Sequence, residues 1–246
     1  MNAFISTSFH IFIILGNVNS APDGPPFPSQ VEVSVWYANL NLWYSFCNGV
    51  LIALNKVVAP ADCVPYYYPP EDVRVSLGKV DKKYQQIIYV SRVDTHKDYE
   101  WFEWPNDIAL ITLSTPAKLD KNVQVAKLAV NSSSIYVETS CMIYSWGGSR
   151  VEQVSRTLLS KKECLERAHD DLWYPLSSGL VTCVFSRKGD NSAPCMGNLG
   201  TPLLCGPNKD TLVGIAKMMA KYCVAGQPSF YTDVTSHLAW LQQRMY

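Results

Sequence analysis

Cys195-Met196-Gly197-Asn198-Leu199-Gly200-Thr201-Pro202-Leu203-Leu204-Cys205 sets glycines and a proline between two cysteines. The stretch holds no serine. Ser192 precedes it, and no serine follows until Ser229. It is the constrained loop around which the remaining segments fall into order.

The chain has 246 residues, 48% hydrophobic and 17% charged, with zero formal net charge. These totals describe a globular protein with a full core and exclude disorder and coiled coil. Zero net charge gives no general pull toward nucleic acid or anionic membrane. Eight cysteines, an even count spread along the chain, point to disulfides and an oxidising compartment. No Cys-x-x-Cys occurs and there are four histidines, so the zinc alternative lacks ligands. No metal or cofactor is expected.

Residues 1–20 read as a signal peptide. Phe9 to Leu15 is an apolar run too short to span a bilayer, and Val18-Asn19-Ser20 offers a small residue before Ala21. The n-region lacks Lys and Arg, and the competing reading is an N-terminal core strand. Residues 21–30, rich in proline, cannot hold helix or central strand. From Val31 onward, short strands alternate with turns: Val31–Val35, Val50–Val58, Arg74–Leu77, Gln86–Val90 and Asp107–Leu113. Residues 127–140 form a crossover. Cys141–Ser145, Val154–Leu159, Leu180–Phe185, Pro202–Cys205, Leu212–Met218 and Ser229–Val234 follow. Lys161–His169 reads as a short helix. Val234, Leu238 and Leu241 recur at helical spacing and mark a C-terminal helix over about 235–245. Many short strands without helical periodicity indicate an all-β barrel or sandwich. Asn131-Ser132-Ser133 is a glycosylation sequon.

Several stretches together resemble the chymotrypsin/trypsin family of serine proteases. Phe46-Cys47-Asn48-Gly49-Val50-Leu51-Ile52 is similar to the family's Phe-Cys-Gly-Gly-Ser-Leu-Ile. Ala59-Pro60-Ala61-Asp62-Cys63 is similar to its Thr-Ala-Ala-His-Cys. Asn106-Asp107-Ile108-Ala109-Leu110-Ile111 matches the segment around the catalytic aspartate. Ser145-Trp146-Gly147 stands where the family has Gly-Trp-Gly, and the Cys195 loop stands where it has Gly-Asp-Ser-Gly-Gly-Pro. The resemblance implies two six-stranded antiparallel β-barrels and a C-terminal helix, with the barrels at about 31–126 and 135–232 and the active-site cleft between them. It also implies the pairings Cys47–Cys63, Cys141–Cys205, Cys164–Cys183 and Cys195–Cys223.

The chemistry expected of such a family is missing from the matching positions. A serine hydroxyl attacks only when a histidine takes its proton. Asp62 stands at the histidine position and Leu199 at the serine position, so of the triad only Asp107 remains. In a protease of this logic, loss of serine or histidine alone costs roughly 10⁶ in rate. Activation has lapsed as well. No Lys or Arg precedes Lys56, and Asn198 replaces the aspartate that receives the new N-terminus. At the specificity pocket, Ala193 stands at the base and Met219 and Ser229 at the walls, which implies a plugged or reshaped pocket. The family's substrate-pairing Ser-Trp-Gly is Lys217-Met218-Met219 here. Two adjacent buried carboxylates repel. Lys217 is therefore expected to form an internal ion pair with Asp107, joined by Asp62. The competing reading sends Lys217 to solvent.

Two aromatic stretches would rim the family's cleft. They are Tyr66-Tyr67-Tyr68 and the run from Tyr99 to Trp104, with Trp101, Phe102 and Trp104 as candidate contacts. Aromatic loops on a rigid scaffold suit recognition; the same rings could instead cover their own barrel. The expectation is a secreted, monomeric, non-catalytic protease homologue binding an extracellular protein. This is similar in type to the inactive paralogues of arthropods, including parasitic mites, whose roles include interference with host complement. Residual hydrolysis through Asp62, or a small-ligand or glycan module on the same scaffold, are the rival classes.

Overall fold

Val31, Val33 and Val35 point one way and Glu32, Ser34 and Trp36 the other, so the first strand has one face for a core. The computed structural model describes residues 27–64, 68–80, 83–100, 105–130, 132–147, 150–167, 178–185, 199–218 and 228–246. Strands β1 (Gln30–Tyr37), β2 (Leu42–Ala53), β3 (Lys56–Ala59), β4 (Val73–Val80), β5 (Lys83–Thr95) and β6 (Ala109–Leu113) close into a barrel in the order β1-β2-β3-β6-β5-β4. All of its pairings are antiparallel.

The second half adds β7 (Lys127–Leu128), β8 (Ser140–Gly147), β9 (Arg150–Leu158), β10 (Val181–Phe185), β11 (Pro202–Cys205), β12 (Thr211–Met218) and β13 (Ser229–Asp233). The order β11-β8-β9-β10-β13-β12 is closed by pairing of β12 with β11, giving a second six-stranded barrel, and β7 lies parallel on the outside of β12. The fold is thus two antiparallel barrels, as the resemblance implied.

A shared core glues the barrels together. Val50, Ile52, Val58, Ile108 and Leu110 of the first meet Leu204, Leu212, Ile215, Trp240 and Leu241 of the second half. Each such side chain contributes roughly 1.5–3 kcal/mol when fully buried. This packing also explains a correction. Val50–Val58, read as one strand, is a hairpin with its turn at Leu54 and Asn55. All four residues of β3 are buried, because one face serves its own barrel and the other the interface. The alternation that would betray a reversal is lost, and the turn contains neither Gly nor Pro.

Other boundaries shift for local reasons. The strand expected from Asp107 begins only at Ala109. Asn106 takes φ +60° and its carbonyl accepts from the Ile108 N–H at 2.7 Å, which bends the chain ahead of the strand. The segment Lys161–Arg167 is α1. The C-terminal helix is a 3₁₀ turn over Val234–His237 followed by α2 (Leu238–Gln242), shorter than 235–245. Asp233 caps it, its Oδ1 accepting from the backbone N–H groups of Thr235 at 2.9 Å and Ser236 at 3.3 Å. His237 Nε2 lies 3.2 Å from Asn106 Oδ1, which ties this end to the loop before Asp107.

The described disulfides are Cys47–Cys63, Cys141–Cys205 and Cys164–Cys183. Cys195 and Cys223 lie outside the described residues, as do residues 1–20, Tyr66, Tyr67, Trp101, Phe102, Trp104, Asn131, Ala193 and Met219.

Gly200 shows how tightly the chain entering β11 is held. Its φ is +79°, and a Cβ there would fall 1.8 Å from the Asn48 carbonyl oxygen. Gly179 has φ +77° but no heavy atom within 4 Å of the same position. Gly179→Ala should therefore cost only the left-handed strain, about 1 kcal/mol, and Gly200→Ala about 3 kcal/mol or more. Urea unfolding of the two variants checks this; equal losses would contradict it.

Candidate functional site

Three segments converge where the barrels meet. The turn Ala61–Cys63 follows β3 and carries Asp62. The loop before β6 carries Asp107, and β12 of the second barrel carries Lys217. Cys47–Cys63 fixes the first of these by closing a loop of 16 residues, a constraint of about 3 kcal/mol. The Asp62 N–H donates to Asp107 Oδ1 at 2.9 Å. Thr232 Oγ1, on β13, donates to the Asp107 carbonyl at 3.1 Å.

The Lys217 ammonium lies between the carboxylates, 2.5 Å from Asp62 Oδ2 and 2.8 Å from Asp107 Oδ2. Its side chain is 7% exposed and that of Asp107 0%, so the chain does not carry this amine out to solvent. The Tyr99 hydroxyl donates to Asp62 Oδ1. Two carboxylates thus share one ammonium. Burial, together with the neighbouring Asp62 charge, pushes the Asp107 carboxyl up to about 6 in spite of Lys217. Burial opposes the Lys217 charge, but the two carboxylates, Asp107 foremost, outweigh it and hold its pKa above the ordinary lysine value.

Leu199 is partly buried and packs against the first barrel's core. Its carbonyl accepts the Asn48 N–H at 2.7 Å and Asn48 Nδ2 at 3.3 Å. Asn48 Oδ1 in turn accepts Gln30 Nε2 at 3.0 Å. On the other side of the loop, the Gly200 N–H donates to the Ala216 carbonyl at 2.8 Å, and the Ala216 N–H to the Thr201 carbonyl at 2.9 Å. The backbone is stitched to both barrels at Leu199 and Gly200. Leu199 has no lone pair to attack a carbonyl and no proton to give a base.

Of the remaining sequence candidates, Ser229 is buried at the start of β13 and Tyr68 packs against the first barrel's core while contacting the Tyr37 ring. Among the described residues no cluster of three or more potential metal ligands occurs. Sequence reasoning overlooked two polar partners. Tyr99 sat inside an aromatic stretch read as a rim, where a hydroxyl aimed inward gives no separate signal. Asn48 was visible as a departure from the family's glycine, and a side chain at that position has to find a partner.

The cluster is linked to pH with a definite sign. A carboxyl whose folded pKa of about 6 exceeds its unfolded value near 3.8 takes up a proton on folding. The stability it contributes is greatest at low pH and declines as pH rises through about 6. Removing the ammonium should sharpen this. Lys217→Met should lose about 3–5 kcal/mol at neutral pH, the range for a buried pair stripped of one partner. The loss should shrink toward pH 5, where a proton replaces the missing cation. Thermal melts of both proteins across that range check it; a loss independent of pH would contradict it.

With this geometry in view, the relatives are informative. The Trypsin family matches residues 18–241. Anionic trypsin of Bos taurus is 31% identical over 222 residues, covering 86% of this chain and 85% of that protein. Trypsin of Squalus acanthias is 30% identical over 224 residues, covering 85% and 89%. Among solved structures, one titled HL collagenase shares the fold, with a TM-score of 0.73 at 21% identity over 89% of this chain and 93% of its own. Two antiparallel barrels and a match over nearly the whole length lead to one assignment: the chain belongs to the trypsin family of serine proteases.

Proposed function

We propose that this chain is a secreted, catalytically inactive member of its family that works by binding other proteins, modulating or competing in a proteolytic cascade such as host complement. The observation that carries the reading is the Lys217 ammonium lodged against both Asp62 and Asp107, with Leu199 in the nucleophile's place. An aspartate that orients a histidine must offer its carboxylate to an imidazole. Here Asp107 is occupied by an ammonium and an amide N–H, and Asp62 is occupied by the same ammonium and the Tyr99 hydroxyl, while Leu199 offers it no hydroxyl to activate.

The three described disulfides fit an oxidising, extracellular setting. Among the described residues no helix is long and apolar enough to cross a membrane. A rigid two-barrel frame with loops at its cleft suits recognition, since loops carried on a stable scaffold can vary their contacts without loss of fold.

An active-site-directed phosphonate should leave the protein unlabelled, and a broad peptide library should go uncut. The double change Asp62→His with Leu199→Ser should also remain unlabelled, because Lys217 still neutralises Asp107; labelling should require Lys217→Ser in addition. Turnover by the unaltered chain would overturn the reading. In affinity capture from extracellular fluid, Trp101→Ala should reduce the captured partner several-fold with the melting temperature unchanged, whereas undiminished capture would remove the aromatic rim from the account.

A further inference from the structure

The imidazole of His237 lies between two oxygen atoms that can only accept. Its Nδ1 is 2.8 Å from the carbonyl of Asp233, four residues earlier. Its Nε2 is 3.2 Å from Asn106 Oδ1, in the loop ahead of β6. The Asn106 amide is fixed in this sense, because its Nδ2 donates to the Asp98 carbonyl at 3.2 Å and a reversed amide would set oxygen against oxygen there. A neutral imidazole carries one N–H and one lone pair. Whichever nitrogen holds the proton, the other aims a lone pair at an oxygen. The ring is one proton short of satisfying its surroundings.

A second histidine stands beside it with the opposite demand. The ring of His96 meets the His237 ring edge-on, with centroids 5.4 Å apart. His96 Nδ1 accepts the Asp98 N–H at 3.3 Å, a bond that needs a lone pair. His96 is therefore best served by one proton, on Nε2, and His237 by two. Two imidazolium rings at this spacing would repel, so the pair takes up a single proton first, on His237.

The surrounding charges set the pH of that uptake. On the loop side, Asp98 Oδ2 lies 4.0 Å from His96 Nδ1, and the exposed Lys97 ammonium is 3.7 Å from Asp98 Oδ1. On the C-terminal side, the Arg244 guanidinium stacks 4.8 Å over Trp240, whose ring lies 5.3 Å from that of His96. On its own turn, His237 has the Asp233 carboxylate, which accepts from the Ser133 hydroxyl and from the N–H groups of Thr235 and Ser236. His237 is 3% exposed. Burial outweighs the pull of Asp233 and holds the ring below the ordinary histidine value of 6.5. His96 is also held below it, by burial first and then by His237, Arg244 and Lys97, against Asp98.

We propose that His237 is a proton-operated latch: protonated on both nitrogens in mild acid, it bonds Asp233 and Asn106 at once and ties the C-terminal 3₁₀ turn to the residues leading into Asp107, and at neutral pH it releases one of the two. Asn106 is the residue through which such a tie acts. Its φ is +60°, its carbonyl accepts from the Ile108 N–H at 2.7 Å and its side chain holds Asp98, so it fixes the bend from which Asp107 enters the ion cluster. The latch does not depend on the binding role. Because the folded His237 value lies below the unfolded one, overall stability declines as pH falls below about 6.5, while the bond to Asn106 is gained locally.

Heteronuclear NMR titration of the imidazoles of the full chain, from pH 8 to pH 4.5, is the test. The expected result is a His237 midpoint below 6.5, with both ring N–H groups hydrogen-bonded on the acid side, and a His96 ring that keeps its single proton on Nε2 until lower pH. Asn106→Gly keeps the left-handed backbone but removes the acceptor, and should lower the His237 midpoint by about half a pH unit, roughly threefold in proton affinity. The Ile108 amide should become about threefold better protected from hydrogen exchange at pH 5.5 than at pH 7.5, after correction for the chemical rate, and His237→Phe should remove that gain. Asn106→Gly keeps the test valid if His237→Phe fails to fold. A His237 ring singly protonated down to pH 4.5, a first proton on His96, or a midpoint indifferent to Asn106→Gly overturns the proposal. So does an Ile108 amide with no gain in acid, or one whose gain survives His237→Phe undiminished.

Discussion

One ammonium between two carboxylates governs the centre of this molecule. Asp107 is fully buried, and a buried carboxylate without a counter-charge is costly. The turn that supplies Asp62 brings a second negative group to the same place. Lys217 answers both at 2.5 and 2.8 Å. Because Asp62 and Asp107 belong to the first barrel and Lys217 to the second, the contact also crosses the interface between them. The hydrophobic seam formed by Val50, Val58, Leu110, Leu204, Leu212 and Ile215 holds the barrels together, and the ion cluster fixes how the cleft side of that seam is aligned.

The same contact answers a chemical question with a structural one. In a working protease of this fold the aspartate's role is to orient an imidazole. Here its oxygens face the Asp62 N–H and the Lys217 ammonium, and the Tyr99 hydroxyl closes the far side of Asp62. The loop that would present a nucleophile is held by Asn48 on one side and Ala216 on the other. Asp107 Oδ1 is satisfied by the Asp62 N–H, and Oδ2, which has no hydrogen-bond partner among the described residues, is balanced by its ion pair with Lys217.

Much of this could be read from residue types alone, and the reason differs by element. β1 was legible because buried valines alternate with half-buried residues, Ser34 alone breaking the pattern. The β2–β3 reversal was not, because burial on both faces erases alternation and the turn offers a single Asn, Asn55, with neither Gly nor Pro beside it. Asp62, Asp107 and Lys217 could be brought together only through the family's spacing, since 155 residues separate Asp62 from Lys217. Tyr99 was hidden among neighbouring aromatics.

The proposed reading, that a closed ion cluster stands where the family resemblance puts a catalytic centre, turns on whether Lys217 is locked. Reductive methylation of the folded protein followed by peptide mass spectrometry measures this site by site. Lys97 and Lys162, 81% and 86% exposed, should be modified readily, while Lys217, 7% exposed and bound to both carboxylates, should stay unmodified until the chain is unfolded. Modification of Lys217 in the native protein at the rate of those two would contradict the account.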